Sequence, residues 1–204
     1  MLFRRKAYNL LIGFLCLFTL QGYAQDQRIA DSLFKIYSAD TLKGDAKLEL
    51  LRNLSYNEMK DLNLSLKYCE ELISLAKKDG NNRYLHIGYF QKGNKKRLLG
   101  YLQEALGLYF KSVEAAVKAN DRKGVGNAYG AIADIYSISK NHSDAMLYYN
   151  KAIEILRKAN DSISLASAIS NAGDEYLTYK NYDSALLYFK ESKIIFDQVN
   201  YPTG

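Results

Sequence analysis

The chain has 204 residues, 48% of them hydrophobic and 25% charged, with a formal net charge of +6. These proportions exclude an intrinsically disordered, collagen-like or disulfide-rich chain. A single proline leaves almost nothing to interrupt helices, and only two histidines and two cysteines argue against a histidine-rich metal site, a cysteine framework and ordinary hydrolase chemistry. An all-α fold is expected.

Met1 to Ala24 reads as an export signal. Arg4, Arg5 and Lys6 make a positive start, Leu10 to Leu20 an apolar stretch, and Gly22-Tyr23-Ala24 a small-x-small cleavage site. Cleavage after Ala24 is expected, since the apolar stretch is about half the ~20 residues needed to cross a bilayer; a retained anchor is the weaker alternative. Cys16 follows Leu15 rather than a small residue, which argues against a lipoprotein cleavage site there. Removing the segment deletes three basic and no acidic residues, and the balance left is too mild for a nucleic-acid partner. The mature chain keeps only Cys69, so it has no intramolecular disulfide.

Residues 25–40 follow as a capping helix. Ile29, Leu33 and Ile36 recur at helical spacing, and Asp26, Gln27, Arg28, Asp31 and Lys35 supply the polar outer face that the end of a repeat array needs.

Beyond Asp40 the chain repeats itself with a constant period. Ungapped alignment of 121–160 over 161–200 pairs identical residues at Asp121/Asp161, Ala128/Ala168, Asp134/Asp174, Tyr136/Tyr176, Lys140/Lys180, Asn141/Asn181, Ala145/Ala185, Leu147/Leu187, Tyr148/Tyr188, Ile155/Ile195 and Asn160/Asn200. The same step gives a small-residue column, Ser65, Ala105, Ala145 and Ala185. A second column, one helical turn on, is Cys69, Tyr109, Tyr149 and Phe189. The frames are 41–80, 81–120, 121–160 and 161–200, with 201–204 reading as the opening of a truncated fifth.

Each frame predicts a helical hairpin. In the third, Tyr129, Ile132, Ala133 and Tyr136 form one apolar face; Lys140-Asn141-His142 breaks it; Ala145, Leu147, Tyr148, Ala152, Ile153 and Leu156 supply another. Gly80-Asn81, Asn120-Asp121 and Asn160-Asp161 mark the frame boundaries, with Asp161 placed to cap the next helix through its carboxylate.

These residues resemble the tetratricopeptide repeat, whose pattern has a small residue and a tyrosine in the first helix, then alanine and an aromatic in the second. Gly173, Tyr176, Ala185 and Phe189 match it in the fourth frame, and Tyr129, Ala133, Tyr136, Ala145 and Tyr149 in the third. Tyr89, Gly93, Ala105 and Tyr109 match in the second, with Lys96 where a tyrosine belongs, while the first keeps Tyr56 and Ser65. The resemblance implies a right-handed αα superhelix of antiparallel helix pairs. Its departures are a period of 40 instead of 34, no tryptophan and no terminal proline; the longer period implies longer helices. Gly93, Ala133 and Gly173 are expected where the helices of a hairpin approach most closely.

The resemblance also implies a non-catalytic scaffold whose first helices line a concave, peptide- or protein-binding face. Alignment places Leu50, Leu54, Asn57, Gly130 and Leu177 there, with Phe90, Asn94, Arg97, Asn127, Asp134, Ser170 and Asp174 as candidate ligand-binding residues. Asn94 follows Phe90 and not lysine, so the lysine–asparagine grip on a terminal carboxylate known in the family is not expected.

Nothing else in the chain carries chemistry. His86 and His142 stand far apart in the chain without cysteines or acidic clusters, so both read as packing or solvent-exposed residues and no metal or cofactor is expected. Cys69, in a packing column, reads as a structural thiol. Gly124, Gly126 and Gly130 open no strand-to-helix turn and read as helix-packing positions, not a phosphate loop. Lys92, Lys95, Lys96 and Arg97 form the densest basic run, read as a solvated face with docking to an acidic peptide or lipid headgroup as the alternative.

An export signal followed by an array of such long repeats resembles the extracytoplasmic sensor region of bacterial membrane signalling proteins. That resemblance implies a transmembrane helix and an output domain beyond Gly204, an adenylate/guanylate cyclase first and a histidine kinase second. The alternative is a free-standing periplasmic or secreted adaptor. Membrane association is expected only through that missing segment or an uncleaved signal; the oligomeric state is left open.

Overall fold

The computed structural model describes residues 27–199, and the expected signal segment, Asp26, Asn200 and the opening of a fifth repeat lie outside the described residues. The described residues are all-helical and of the αα-superhelix class. They fall into two compact units, divided after Leu72.

The first unit holds α1 (residues 27–38), α2 (Gly44–Asn57) and the start of α3 (Leu62–Lys78). Its core is Ala30, Leu48, Leu51, Leu54, Tyr68, Cys69 and Leu72. The inward stripe of α1 differs from the one expected. Ile29 and Ile36 are exposed, whereas Gln27, assigned to the polar outer face, is buried. The Gln27 carboxamide explains this: Oε1 accepts from Lys60 N at 3.2 Å and Nε2 donates to Glu58 Oε2 at 3.2 Å. These bonds satisfy the turn between α2 and α3, so Gln27, Ala30, Leu33 and Tyr37 turn inward. Tyr37 donates to Glu71 Oε2 at 2.7 Å, and this bond, with burial, pushes the phenol up to about 12. Leu50 and Leu54, expected on a groove, are core residues here, and Asn57 is buried.

The second unit contains the end of α3, then α4 (Asn82–Leu98), α5 (Leu102–Lys118), α6 (Arg122–Ile138), α7 (His142–Lys158), α8 (Ser162–Thr178) and α9 (Tyr182–Gln198). All six complete helices have 17 residues, and their first residues follow one another at a constant step, half the repeat period. One residue in each step adopts a left-handed conformation: Gly80, Gly100, Asn120, Lys140, Asn160 and Lys180. There the chain reverses. After Gly80, Gly100, Asn120, Lys140 and Lys180 the amide of the following residue bonds back to a carbonyl near the end of the helix, as in Asn141 N to Tyr136 O and Asn181 N to Tyr176 O, both 2.9 Å. Except at Tyr101, that residue then caps the next helix: Asn81, Asp121, Asn141, Asp161 and Asn181 each accept from the amide three residues on. The three-residue turn therefore closes one helix and opens the next, which fixes the antiparallel pairing.

Small residues set the spacing. Ala105, Ala145 and Ala185 are buried, and a Cβ on Gly93 would lie 2.6 Å from the Tyr109 ring. One on Gly173 would lie 2.8 Å from Phe189. The second and third hairpins are joined by a core of Tyr109, Val113, Ala116, Val125, Ala128, Ile132 and Ile135. The third and fourth are joined by Ala152, Leu156, Leu165, Ala168 and Ile169. Ser112 and Ser192 occupy one column, two frames apart, and their hydroxyls donate to His86 O and Ala166 O at 2.9 and 2.8 Å. Leu147 on α7, expected on the apolar face, is exposed, as are Leu186, Leu187 and Ile194 on α9.

Candidate functional site

The first helices of the last three hairpins, α4, α6 and α8, line a cleft of about 330 Å3. Helix α6 packs against both α4 and α8, so one turn from each faces the same space. Phe90, Asn94 and Arg97 enter from α4, Asn127, Gly130 and Asp134 from α6, and Ile163, Ser167 and Asn171 from α8. The structure thus brings five candidates together: Phe90, Asn94, Arg97, Asn127 and Asp134. Ser170 and Asp174 fall outside the cleft, as does Leu177, which is exposed. Ser167 and Asn171, one helical turn earlier on α8, take the expected places. Ser167 aligns with Asn127 in the repeat and was recoverable from it; Asn171 aligns with Ala131 and carried no such signal.

In the second and third hairpins a tyrosine from the second helix holds the acidic or amide group on the first. Tyr109 donates to Asn94 Oδ1 and Tyr149 to Asp134 Oδ1, each at 2.8 Å. In the fourth hairpin the column carries Phe189, which has no hydroxyl, and Asp174 is exposed. Asp134 also accepts from Asn171 Nδ2 at 3.5 Å. Burial pushes the Asp134 carboxyl up, against the lowering effects of the Tyr149 bond and the field of Arg97. The Tyr149 phenol is pushed up by burial and then by Asp134. The cleft therefore presents three carboxamides, two serine hydroxyls, one guanidinium and one carboxyl group over an apolar floor.

The basic run is not one solvated face. Lys95 is buried, Lys96 lies 2.8 Å from Glu104 Oε2 and over the Tyr101 ring at 4.8 Å, and Arg97 turns to the cleft. Gly124 and Gly126 are packing positions, as expected: a Cβ there would lie 2.7 Å from His86 Cε1 and 2.5 Å from Leu156 Cγ. Gly130 differs, since a Cβ on it would meet nothing within 4 Å. A larger hollow of about 830 Å3 opens at the turns before α6 and α8, bordered by Asp121, Arg122, Lys123 and Lys158. Lys123 forms an ion pair with Asp161 there. No group of three or more potential metal-ligating side chains occurs among the described residues.

Both histidines are structural partners. His142 Nδ1 lies 3.0 Å from Oε1 of Glu175, which is buried and also accepts from the Ser137 hydroxyl. His86 is buried with Nε2 3.0 Å from Asp121 Oδ2. Burial lowers the His86 pKa from its ordinary 6.5, against the raising effect of Asp121. A neutral buried imidazole that gains a proton on unfolding contributes stability above its unfolded pKa, and this is lost as pH falls toward the lower folded value. Thermal melts should therefore show stability declining below pH 6.5, and His86→Gln should flatten that decline. An unchanged pH profile in the variant would remove His86 as its source.

No protein-family model and no curated protein sequence matches the chain, but solved structures do. RapI in its apo form superposes with a TM-score of 0.70 at 20% identity over 81% of this chain and 61% of its own. The fold is of the tetratricopeptide-repeat type, shared with a STAND protein with a tetratricopeptide repeat sensor from Pyrococcus horikoshii at a TM-score of 0.67 and 18% identity over 79% of this chain and 25% of its own. A Rap conjugation gene regulator of the plasmid pLS20, solved in complex with the Phr* peptide, gives 0.75 at 14% identity over 90% of this chain and 51% of its own. BtubC from P. vanneervenii gives 0.61 at 13% identity, covering 87% of this chain and 91% of its own. The tetratricopeptide-type chain thus spans only about half to three fifths of the two Rap structures.

Proposed function

We propose that the chain is an exported, non-catalytic scaffold that binds a peptide, or an extended segment of a protein, in the cleft between α4, α6 and α8. The observation that carries this reading is the convergence of Asn94, Asn127 and Asn171 on one cleft. A carboxamide offers a donor and an acceptor side by side, the same pair that each peptide unit of an extended chain leaves open. Phe90 and Ile163 supply apolar wall for side chains between those units. The pLS20 regulator, solved with a peptide, shares the fold, and so does a Rap protein complexed with competence and sporulation factor.

Export rests on the Met1–Ala24 pattern, and N-terminal sequencing of the protein from a periplasmic or secreted fraction should begin at Gln25. An exported peptide-binding array suits the sensor part of a membrane signalling protein with a cyclase or, second, a kinase output. A free-standing adaptor is the alternative.

Binding can be tested without knowing the ligand. Residues 25–204 are screened against a random decapeptide display library, and enriched peptides are measured by calorimetry on the wild type and on Gly130→Leu. Because position 130 has room for a side chain and leucine is a better helix former by roughly 1 kcal/mol, the variant should melt no lower than the wild type. It should lose peptide binding because the side chain fills the cleft. No enrichment, or peptides that bind the variant equally, would overturn the reading.

A further inference from the structure

The cleft holds two groups of opposite charge that do not meet. Arg97 forms no ion pair among the described residues, and its Nε is shielded from solvent without a partner. Asp134 takes its hydrogen bonds from two neutral groups, Tyr149 and Asn171, and has no cation in direct contact among the described residues. Tyrosines from the second helices order the cleft beside these charges, since Tyr149 fixes Asp134 and Tyr109 fixes Asn94, one helical turn before Arg97. Charges kept partly from water without a direct counter-ion raise the energy of the empty site, and a ligand carrying the complementary groups removes that penalty and gains charge-assisted hydrogen bonds.

Resting on the peptide-binding reading, we propose that this cleft selects a dipolar ligand segment, its cationic group seated on Asp134 and its anionic group on Arg97. Neutral positions beside them, Asn94, Asn127 and Asn171, pair with the backbone between the two charges. Net charge in the cleft is thereby matched without either a strongly basic or a strongly acidic partner, which distinguishes it from a docking patch for acidic peptides. The same pair of charges is carried by a basic and an acidic side chain close together in a peptide, or by a free amino acid with its ammonium and carboxylate.

The test repeats the decapeptide display screen with wild type, Asp134→Asn and Arg97→Gln, after thermal melts confirm that each variant folds. Asparagine keeps an acceptor for Tyr149, so Asp134→Asn isolates the charge. Wild type should enrich peptides in which a lysine or arginine lies within three residues of an aspartate or glutamate. Asp134→Asn should lose the preference for the basic residue alone and Arg97→Gln that for the acidic residue alone, each with about tenfold or greater weakening toward wild-type peptides. Enriched peptides lacking this pairing, or a pairing unaffected by the two variants, would overturn the proposal while leaving peptide binding intact. If no peptide is enriched, the peptide reading fails first, and thermal shifts with the twenty free amino acids decide the rest. A shift abolished by both variants supports a dipolar small ligand, and none overturns the proposal.

Discussion

His142→Ala is expected to lower the unfolding free energy by about 2–3 kcal/mol, a large effect for a residue at the first position of a helix. Glu175, on α8, is 2% exposed, and its two acceptor oxygens are met by the Ser137 hydroxyl from α6 and by His142 Nδ1 from the start of α7. One carboxylate thus links three helices. Alanine at 142 would remove the imidazole partner of Oε1, and it would also remove a ring contact with Tyr179 at 4.0 Å between centroids. The measurement is urea unfolding of the wild type, His142→Ala, Glu175→Gln and the double variant. A coupling energy of about 1 kcal/mol or more is expected, because once Glu175 is neutral the loss of His142 costs less. Additive single effects would show that Glu175 does not depend on His142.

Gly126 and Leu156 give the second large effect. A methyl group at 126 would lie 2.5 Å from Leu156 Cγ and 2.7 Å from its Cδ2, and Leu156 is itself enclosed in the core joining the third and fourth hairpins. Gly126→Ala should therefore destabilise by about 1–3 kcal/mol, although alanine is the better helix former. Leu156→Ala should cost about 2–5 kcal/mol through the cavity it leaves. In the double variant the new methyl enters the space the leucine vacates, so the combined loss should fall well short of the sum. Denaturant midpoints that add would mean that the contact yields without strain. Neither change alters a charge at the cleft, but Gly126 borders it, so the same variants should weaken peptide binding in step with their displacement of α6.

The architecture was legible in the amino-acid sequence because a stacked array must present the same surface at every step. A small residue at 105, 145 and 185 and a ring at 109 and 149 are required wherever one hairpin meets the next, so selection for packing is written as a column. The left-handed turns were legible at the frame boundaries, Gly80, Asn120 and Asn160, and at the Lys140 break inside the third frame, but lysine at 140 and 180 gives no sign by itself of the left-handed conformation it adopts. Five cleft residues followed from the same register, since α4, α6 and α8 occupy equivalent places.

Other features required the tertiary structure. The stripe of α1 is set by a single polar side chain, Gln27, whose partners Glu58 and Lys60 belong to the turn between α2 and α3. The Glu175 link joins His142 and Ser137 to a helix that no repeat column aligns with them. On α8 the register also places Ser170 and Asp174 at the cleft, yet they fall outside it, and Asn171, which carries no polar signal in its column, enters beside Ser167. Periodicity in one dimension specifies which face of a helix is apolar. Which turn of that face reaches a shared cleft depends on how each pair is rotated against the last, and that rotation is the sum of all the packing contacts between them.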